Sequence, residues 1–202
     1  MAVLTENEQK FELLIDGIIN QNFGICDHFI STEFAEALKN QLLTKFVANK
    51  FSPASVGQGA AQKQHLEIRS DSILWIENDS LDPLERKYLD FVGEFMQYMN
   101  RTCFTGLNDF ELHYACYPEG SFYRKHVDSF ANDKSRQYSL IVYLNPDWTA
   151  SDGGQLKLYL DAKTVEILPV SGRAVCFPSH LIPHEVANSN KERLSLTGWL
   201  KK

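Results

Sequence analysis

Two imidazoles, a carboxylate and a guanidinium are the side chains of this sequence best suited to chemistry. His126 and Asp128 stand two apart in Arg124-Lys125-His126-Val127-Asp128, and His184 follows later, with Arg193 nine residues beyond it. Two imidazoles and one carboxylate can occupy one face of a ferrous ion and leave the opposite positions open. Arg193 can hold an acidic co-substrate, because a guanidinium meets both oxygens of a carboxylate whereas Lys offers a point charge. The set predicts an iron enzyme. The tripeptide His-x-Asp is weak evidence by itself, since the chain's composition gives about 0.36 chance occurrences. Its weight comes from the later His and Arg and from the strands around them. His113 and His180 compete as ligands, and both are read as surface or hydrogen-bonded core histidines.

Such residues need elements to bring them together. Short strand-like runs fill the second half: Leu112 to Tyr117, Tyr138 to Leu144, Gln155 to Leu160, Thr164 to Leu168, Arg173 to Phe177 and Arg193 to Leu200. Turn residues such as Pro118-Glu119-Gly120, Asn145-Pro146-Asp147 and Asp152-Gly153-Gly154 separate them. Many short strands of this kind predict a double-sheet jelly roll whose mouth can hold a metal. On the last strand, alternation puts Arg193, Ser195, Thr197 and Trp199 on one face, toward a cavity, and Leu194, Leu196 and Leu200 on the other. His126 and Asp128 share a face in the same way if they lie on a strand.

The first half reads as helical. Thr5 with Glu8 predicts a capping box ahead of the stripe Phe11, Leu14, Ile15 and Ile18. Ser31 caps a second helix carrying Phe34, Leu38, Leu42 and Phe46, and Asp82-Pro83 opens a third with Leu84, Tyr88, Phe91, Phe95 and Met99. Between the second and third helices, residues 52–67 are rich in small and polar residues without an apolar period. This stretch is expected to be a mobile loop, its role as a lid left open. The fold class expected is therefore α+β: a cupin-like jelly-roll core over 111–202 with N-terminal helical support over 1–110, in one domain of 202 residues.

Composition narrows the partners. A net charge of -6 argues against a surface built to grip nucleic acid. Cys26, Cys103, Cys116 and Cys176 form no CxxC pair, so neither a zinc knuckle nor a disulfide framework is expected and a reducing cytoplasm fits best. No export signal or membrane span is read from the chain, and the oligomeric state is left open.

A collinear series of segments carries a family resemblance. It comprises Ile68-Arg69-Ser70-Asp71 with the following Trp75-Ile76-Glu77, Ala115-Cys116-Tyr117-Pro118, His126-Val127-Asp128, Tyr143-Leu144-Asn145-Pro146-Asp147-Trp148, Gly153-Gly154, Pro183-His184-Glu185-Val186 and the Arg193 strand. Over roughly residues 66 to 200 the chain resembles the prolyl 4-hydroxylase group of iron(II)- and 2-oxoglutarate-dependent dioxygenases, most closely the oxygen-sensing enzymes and their bacterial relatives. The resemblance implies a double-stranded β-helix, with Fe(II) on His126, Asp128 and His184. It implies 2-oxoglutarate held by Arg193 and Tyr143, with Tyr117, Thr197 and Leu156 lining its pocket, dioxygen as the second co-substrate and ascorbate as reductant.

The implied reaction hydroxylates a proline of an intracellular protein and yields succinate and carbon dioxide. Trp199, Arg136, Tyr123, Arg69 and Asp71 are the implied substrate contacts, with an Arg136–Asp71 pair expected to anchor the 52–67 loop. That loop's Ala/Gly/Gln-rich sequence departs from the animal enzymes, so substrate identity does not carry over. Three alternatives stay open: an oxygenase acting on another side chain or a small molecule, a non-catalytic metal- or 2-oxoglutarate-binding sensor, and a zinc hydrolase. The last gives no reason for Tyr143 and Arg193.

Overall fold

Three helices form where the sequence supplies both a cap and an apolar stripe. In the computed structural model, which describes residues 3–55, 67–128 and 134–202, the Thr5 hydroxyl accepts from the Glu8 N–H while the Glu8 carboxylate accepts from the Thr5 N–H. This reciprocal box opens α1 (Glu6–Gln21). Ser31 caps α2 (Thr32–Val47) by accepting from the Phe34 N–H. Asp82 caps α3 (Pro83–Cys103) by accepting from Leu84 and Glu85 N–H groups. Among the described residues no helix is long and apolar enough to cross a membrane.

The described strands form two antiparallel sheets. The major sheet has the order β1 (Gly24–Cys26), β9 (Ala174–Pro178), β6 (Arg136–Tyr143), β11 (Arg193–Lys201), β4 (Asp109–Tyr117), β3 (Ser72–Ile76), β2 (Ser52–Pro53). The minor sheet runs β5 (Tyr123–His126), β10 (His184–Val186), β7 (Leu156–Tyr159), β8 (Thr164–Ile167). Facing one another, they make the double-sheet jelly roll that the turn spacing predicts, the double-stranded β-helix that the family resemblance implies.

Alternation along the major-sheet strands sorts side chains into two apolar cores. The outward set, including Leu112, Tyr114, Leu140, Val142, Cys176, Leu194, Leu196 and Leu200, packs under Phe11, Leu14, Leu38, Tyr88 and Phe95 of the helices. The inward set, Ile141, Tyr143, Val175 and Phe177, meets Leu156, Leu158 and Ile167 of the minor sheet. Toward β4 and β11 the inward positions turn polar, and there the space between the sheets opens into a cavity.

The first half is less purely helical than its periodicity implies, because it also supplies β1, β2 and β3 to the major sheet. Gly24 pairs with Cys176 at one edge, directly beneath α1, where a Cβ on Gly24 would stand 2.1 Å from the Leu14 carbonyl oxygen. Only a residue without a side chain fits that approach. Of the 52–67 segment, residues 56–66 lie outside the described residues. Its start is paired rather than looped, with Ser52 and Pro53 opposite Ile73 and Ser72.

Candidate metal centre and co-substrate pocket

His126 ends β5 and His184 begins β10, and the two are direct cross-strand partners. Each ring is fixed by the same device. Nδ1 of His126 lies 2.8 Å from the Arg124 carbonyl oxygen and Nδ1 of His184 lies 2.9 Å from that of Ile182. A carbonyl only accepts, so both Nδ1 atoms carry the proton and both Nε2 lone pairs are free. Those Nε2 atoms stand 3.4 and 3.5 Å from the two Asp128 carboxylate oxygens. One ligand atom from each of the three residues lies within 4.8 Å of the others. Donors set at right angles about 2.1 Å from a single ion would sit about 3 Å apart, so a modest contraction closes this set on one metal.

Asp128 does not share a strand with His126, contrary to the sequence expectation. β5 stops at His126, and the Asp128 N–H instead donates to the Ser179 carbonyl oxygen at 3.2 Å. A buried pair of hydroxyls then sets its carboxylate: Ser139 Oγ donates to Asp128 Oδ2 at 2.7 Å and lies 2.9 Å from Ser179 Oγ. Burial alone would push the Asp128 carboxyl up, but His184, His126 and Ser139 overcome it and hold the group well below the usual carboxylate range. Burial pushes His184 down to about 4, against the opposing pull of Asp128. A neutral imidazole beside an ionised carboxylate is the protonation state metal binding requires. Ser139→Ala leaves the metal donors in place but frees one Asp128 oxygen. We expect metal affinity to fall about 10–100-fold, read by cobalt(II) titration in the visible spectrum, with the far-UV circular dichroism unchanged.

Aromatic contacts hold the imidazoles in place. Tyr123 stacks on His126 with centroids 3.5 Å apart, Arg69 lies 4.2 Å over Tyr123, and Phe177 meets His184 edge-on. Arg69 is itself tied by two bonds, of 2.6 and 2.8 Å, to the buried Asp71 carboxylate. The expected Arg136–Asp71 pair is therefore replaced. Asp71 takes Arg69, while Arg136 pairs with Glu111 at 2.7 Å and stacks 3.5 Å over Trp199.

Beside the three ligands a cavity of about 200 Å³ is lined by Arg69, Tyr117, Tyr123, Arg136, Leu156, Arg193, Thr197 and Trp199 together with His126, Asp128 and His184. Arg193 is 1 % exposed. Its Nε donates to the Gly154 carbonyl oxygen at 3.0 Å, and among the described residues no carboxylate pairs with it. The Tyr143 ring packs against the guanidinium, its centroid 5.0 Å away, and its buried hydroxyl, next to the cavity wall rather than on it, makes no hydrogen bond until a ligand reaches Arg193. Burial pushes that phenol up, against the opposing field of Arg193. A buried guanidinium without an anion and a buried hydroxyl without a partner are costly. A dicarboxylate reaching in from the metal would satisfy both, so the residues present fit 2-oxoglutarate as well as iron.

The local sequence explains how Arg193 is held. Asn145 donates to the Leu194 carbonyl oxygen at 3.0 Å and accepts from the Leu194 N–H at 2.7 Å, pinning the start of β11. Gly154 has φ +65°, and a Cβ there would stand 3.0 Å from Arg193 Cδ, which accounts for glycine in the Gly153-Gly154 turn. Several contributors escape the sequence reading: Ser139 and Ser179 at the carboxylate, and Ile73, Trp75, His113, Ile141 and Val186 on the cavity wall. Ser139 and Ile141 were reachable by alternation, four and two positions before Tyr143 on one strand face. His113 is neither a surface nor a hydrogen-bonded core histidine: it is buried, it lines the cavity, and its Nδ1 has no partner. His180 is exposed.

Comparison with known proteins agrees with this geometry. Residues 112–201 match the family model of the 2OG-Fe(II) oxygenase superfamily. A Pseudomonas putida prolyl-4-hydroxylase is 34% identical and superposes with a TM-score of 0.85 over 95% of this chain and 98% of its own. A Trichoplax adhaerens prolyl hydroxylase, solved with a hypoxia inducible factor peptide, is 30% identical, with a TM-score of 0.87 over 97% of this chain and 90% of its own. Egl nine homolog 1 of Rattus norvegicus is 30% identical over 194 residues, which cover 87% of this chain. The chain spans about half the length of that protein, 54%. With likeness extending over nearly all of both chains in the bacterial case, and three ligands and a buried arginine facing one cavity, the chain belongs to the 2OG-Fe(II) oxygenase superfamily.

Proposed function

We propose that this chain is a cytoplasmic peptidyl-prolyl 4-hydroxylase that uses Fe(II), 2-oxoglutarate and dioxygen to hydroxylate a proline in an intracellular protein. The observation that carries the reading is the single cavity shared by three convergent metal donors, a buried unpaired guanidinium and an aromatic wall of Trp75, His113 and Trp199. His126, Asp128 and His184 hold the metal on one face. Arg193 receives the distal carboxylate of 2-oxoglutarate in two parallel hydrogen bonds, and the Tyr143 hydroxyl donates to the same carboxylate. Tyr117, Leu156 and Thr197 enclose the co-substrate, excluding water from the guanidinium and so strengthening its hold. On the open side Trp199, Arg136, Tyr123 and Arg69 face the polypeptide, with Asp71 fixing Arg69. Bound ferrous iron supplies the oxidative chemistry, in which 2-oxoglutarate becomes succinate and carbon dioxide while a substrate C–H becomes C–OH.

The four free cysteines suit a reducing compartment. The peptide complex of the Trichoplax relative supports a polypeptide substrate here. The test is anaerobic loading with ferrous iron and 2-oxoglutarate, then oxygen exposure in the presence of cell-extract proteins, with new hydroxylation located by mass spectrometry. Iron- and oxygen-dependent hydroxyproline at a defined site is the expected result. Stoichiometric succinate with the new oxygen on another residue or a small molecule would overturn the proline assignment, and 2-oxoglutarate binding without succinate would overturn catalysis.

A further inference from the structure

His113 has no part in the metal centre, and its surroundings do not explain why a histidine stands there. It lies on β4 between β3 and β11, opposite Trp75 on one side and Thr197 on the other. Its ring is wedged between two indoles, with centroids 5.0 Å from Trp75 and 5.4 Å from Trp199. These three rings form one side of the cavity, and Trp75, 45 % exposed, carries that wall out to solvent. A phenylalanine or leucine would fill the same space. Yet the position holds an imidazole whose Nδ1 is buried without a hydrogen bond, beside an indole N–H on Trp199 in the same condition. Two buried polar atoms without partners, side by side on a cavity wall, are rare in native proteins and point to a partner that arrives from outside.

The environment also settles what kind of partner. Burial, with the charges of Arg69 and Arg136 adding to it, pushes His113 down to about 3. A ring that stays neutral carries one donor and one acceptor. It is therefore suited to an uncharged group with both functions rather than to an anion, which would call for the protonated ring that burial and the two arginines disfavour. A peptide amide is such a group. We propose that His113 is a specificity-determining residue that reads the main-chain amide of the substrate polypeptide next to the target proline, with the Trp199 indole N–H donating to a neighbouring carbonyl. This inference rests on the prolyl hydroxylase reading above and adds a substrate-reading residue to it. His113 positions the peptide and takes no part in holding iron or 2-oxoglutarate.

The test uses a synthetic peptide spanning the proline hydroxylated in the extract experiment, with wild type, His113→Phe and His113→Asn compared. Phenylalanine keeps the aromatic wedge but removes both nitrogens, whereas asparagine restores a polar atom near Nδ1. The expected result is a KM for the peptide raised about tenfold in His113→Phe, the loss typical of one hydrogen bond to a group otherwise left buried and unpaired. In the same variant kcat should stay within about twofold and the KM for 2-oxoglutarate should not change, and His113→Asn should recover part of the loss. A second measurement changes the ligand instead. Replacing by an ester, one at a time, the secondary amide that follows the proline and the one that precedes the residue before it should weaken wild type at one position and leave His113→Phe indifferent at that position, the coupling expected of a direct contact.

A wild-type peptide KM in His113→Phe overturns the proposal. So does an ester effect of equal size in both proteins, which would make His113 a packing residue. If wild type hydroxylates no proline in the extract, the functional reading falls and this inference with it. If wild type does so and the variants match it, only the inference falls.

Discussion

Asp128→Ala should abolish succinate formation and leave a folded protein that no longer retains ferrous iron. The carboxylate is the single anionic ligand of the three and touches both imidazoles, at 3.4 and 3.5 Å. Without it two neutral rings alone would have to hold a divalent cation, with no anionic ligand to offset its charge. Loss of a hydrogen bond to a metal ligand costs about 10–100-fold in affinity, and loss of the charged ligand itself should exceed that, with turnover down by more than about 10³-fold. The fold should survive, because Ser139 keeps Ser179 as a partner and both Nδ1 carbonyl bonds lie outside the deletion. Asp128→Asn makes the sharper comparison: it retains an oxygen ligand and the shape while removing the charge. Cobalt(II) titration and succinate release measured together check the prediction. Asp128→Ala retaining metal with wild-type affinity would sink the assignment of these three residues as its ligands.

How far the chain could be read without coordinates follows from which interactions are local. All three helix starts were legible, because a cap and the N–H it satisfies lie within three residues: Thr5 with Glu8, Ser31 with Phe34, Asp82 with Leu84 and Glu85. The polar row Arg193, Ser195, Thr197 and Trp199 was legible because a strand alternates whatever its neighbours do. The six expected strands appear with ends displaced by at most three residues.

What escaped has its cause at long range. β5 and β10, the strands that carry the two imidazoles, have four and three residues and no apolar alternation, since their useful faces are filled by ligands. β1 becomes a strand only by pairing with β9, from Gly24 to Cys176. Ser139 and Ser179 acquire a role only when folding sets both against Asp128. His113 was misread for a related reason. A lone histidine is ordinarily satisfied in the core, and nothing within several residues of it shows that Trp75 and Trp199 will close on either side and leave its Nδ1 without a partner. The alternation Glu111, His113, Ala115, Tyr117 already put it on the face of Tyr117, so a stricter use of the strand period would have moved it into the cavity.

Arg193→Met should separate binding from stability, with opposite signs. In the folded protein Arg193 is 1 % exposed and faces no carboxylate among the described residues, so the ligand-free chain bears the cost of a buried charge that hydrogen bonds only partly offset. An unbranched apolar side chain of similar length removes that cost, and replacement of buried ionic groups by well-packed apolar ones is often neutral or stabilising by about 1–4 kcal/mol. Arg193→Met should therefore melt at or above the wild-type temperature when no ligand is present. Binding should move the other way. Removing one partner of a buried charge pair costs about 3–5 kcal/mol, which predicts 2-oxoglutarate affinity lower by roughly 10²- to several 10³-fold, measured calorimetrically with manganese(II) in place of iron to prevent turnover. Wild type held at about 100 times its dissociation constant should gain about 2.7 kcal/mol from the ligand, and the variant almost none at the same concentration. Arg193→Lys should fall between them, because it keeps the charge but loses the planar fork that meets both carboxylate oxygens. A variant that is destabilised without ligand yet binds 2-oxoglutarate normally would mean that Arg193 is a structural residue tied to Gly154 and that the acid is held elsewhere. The predicted crossing of the two effects is what a side chain kept for its ligand, at the expense of the empty fold, should display.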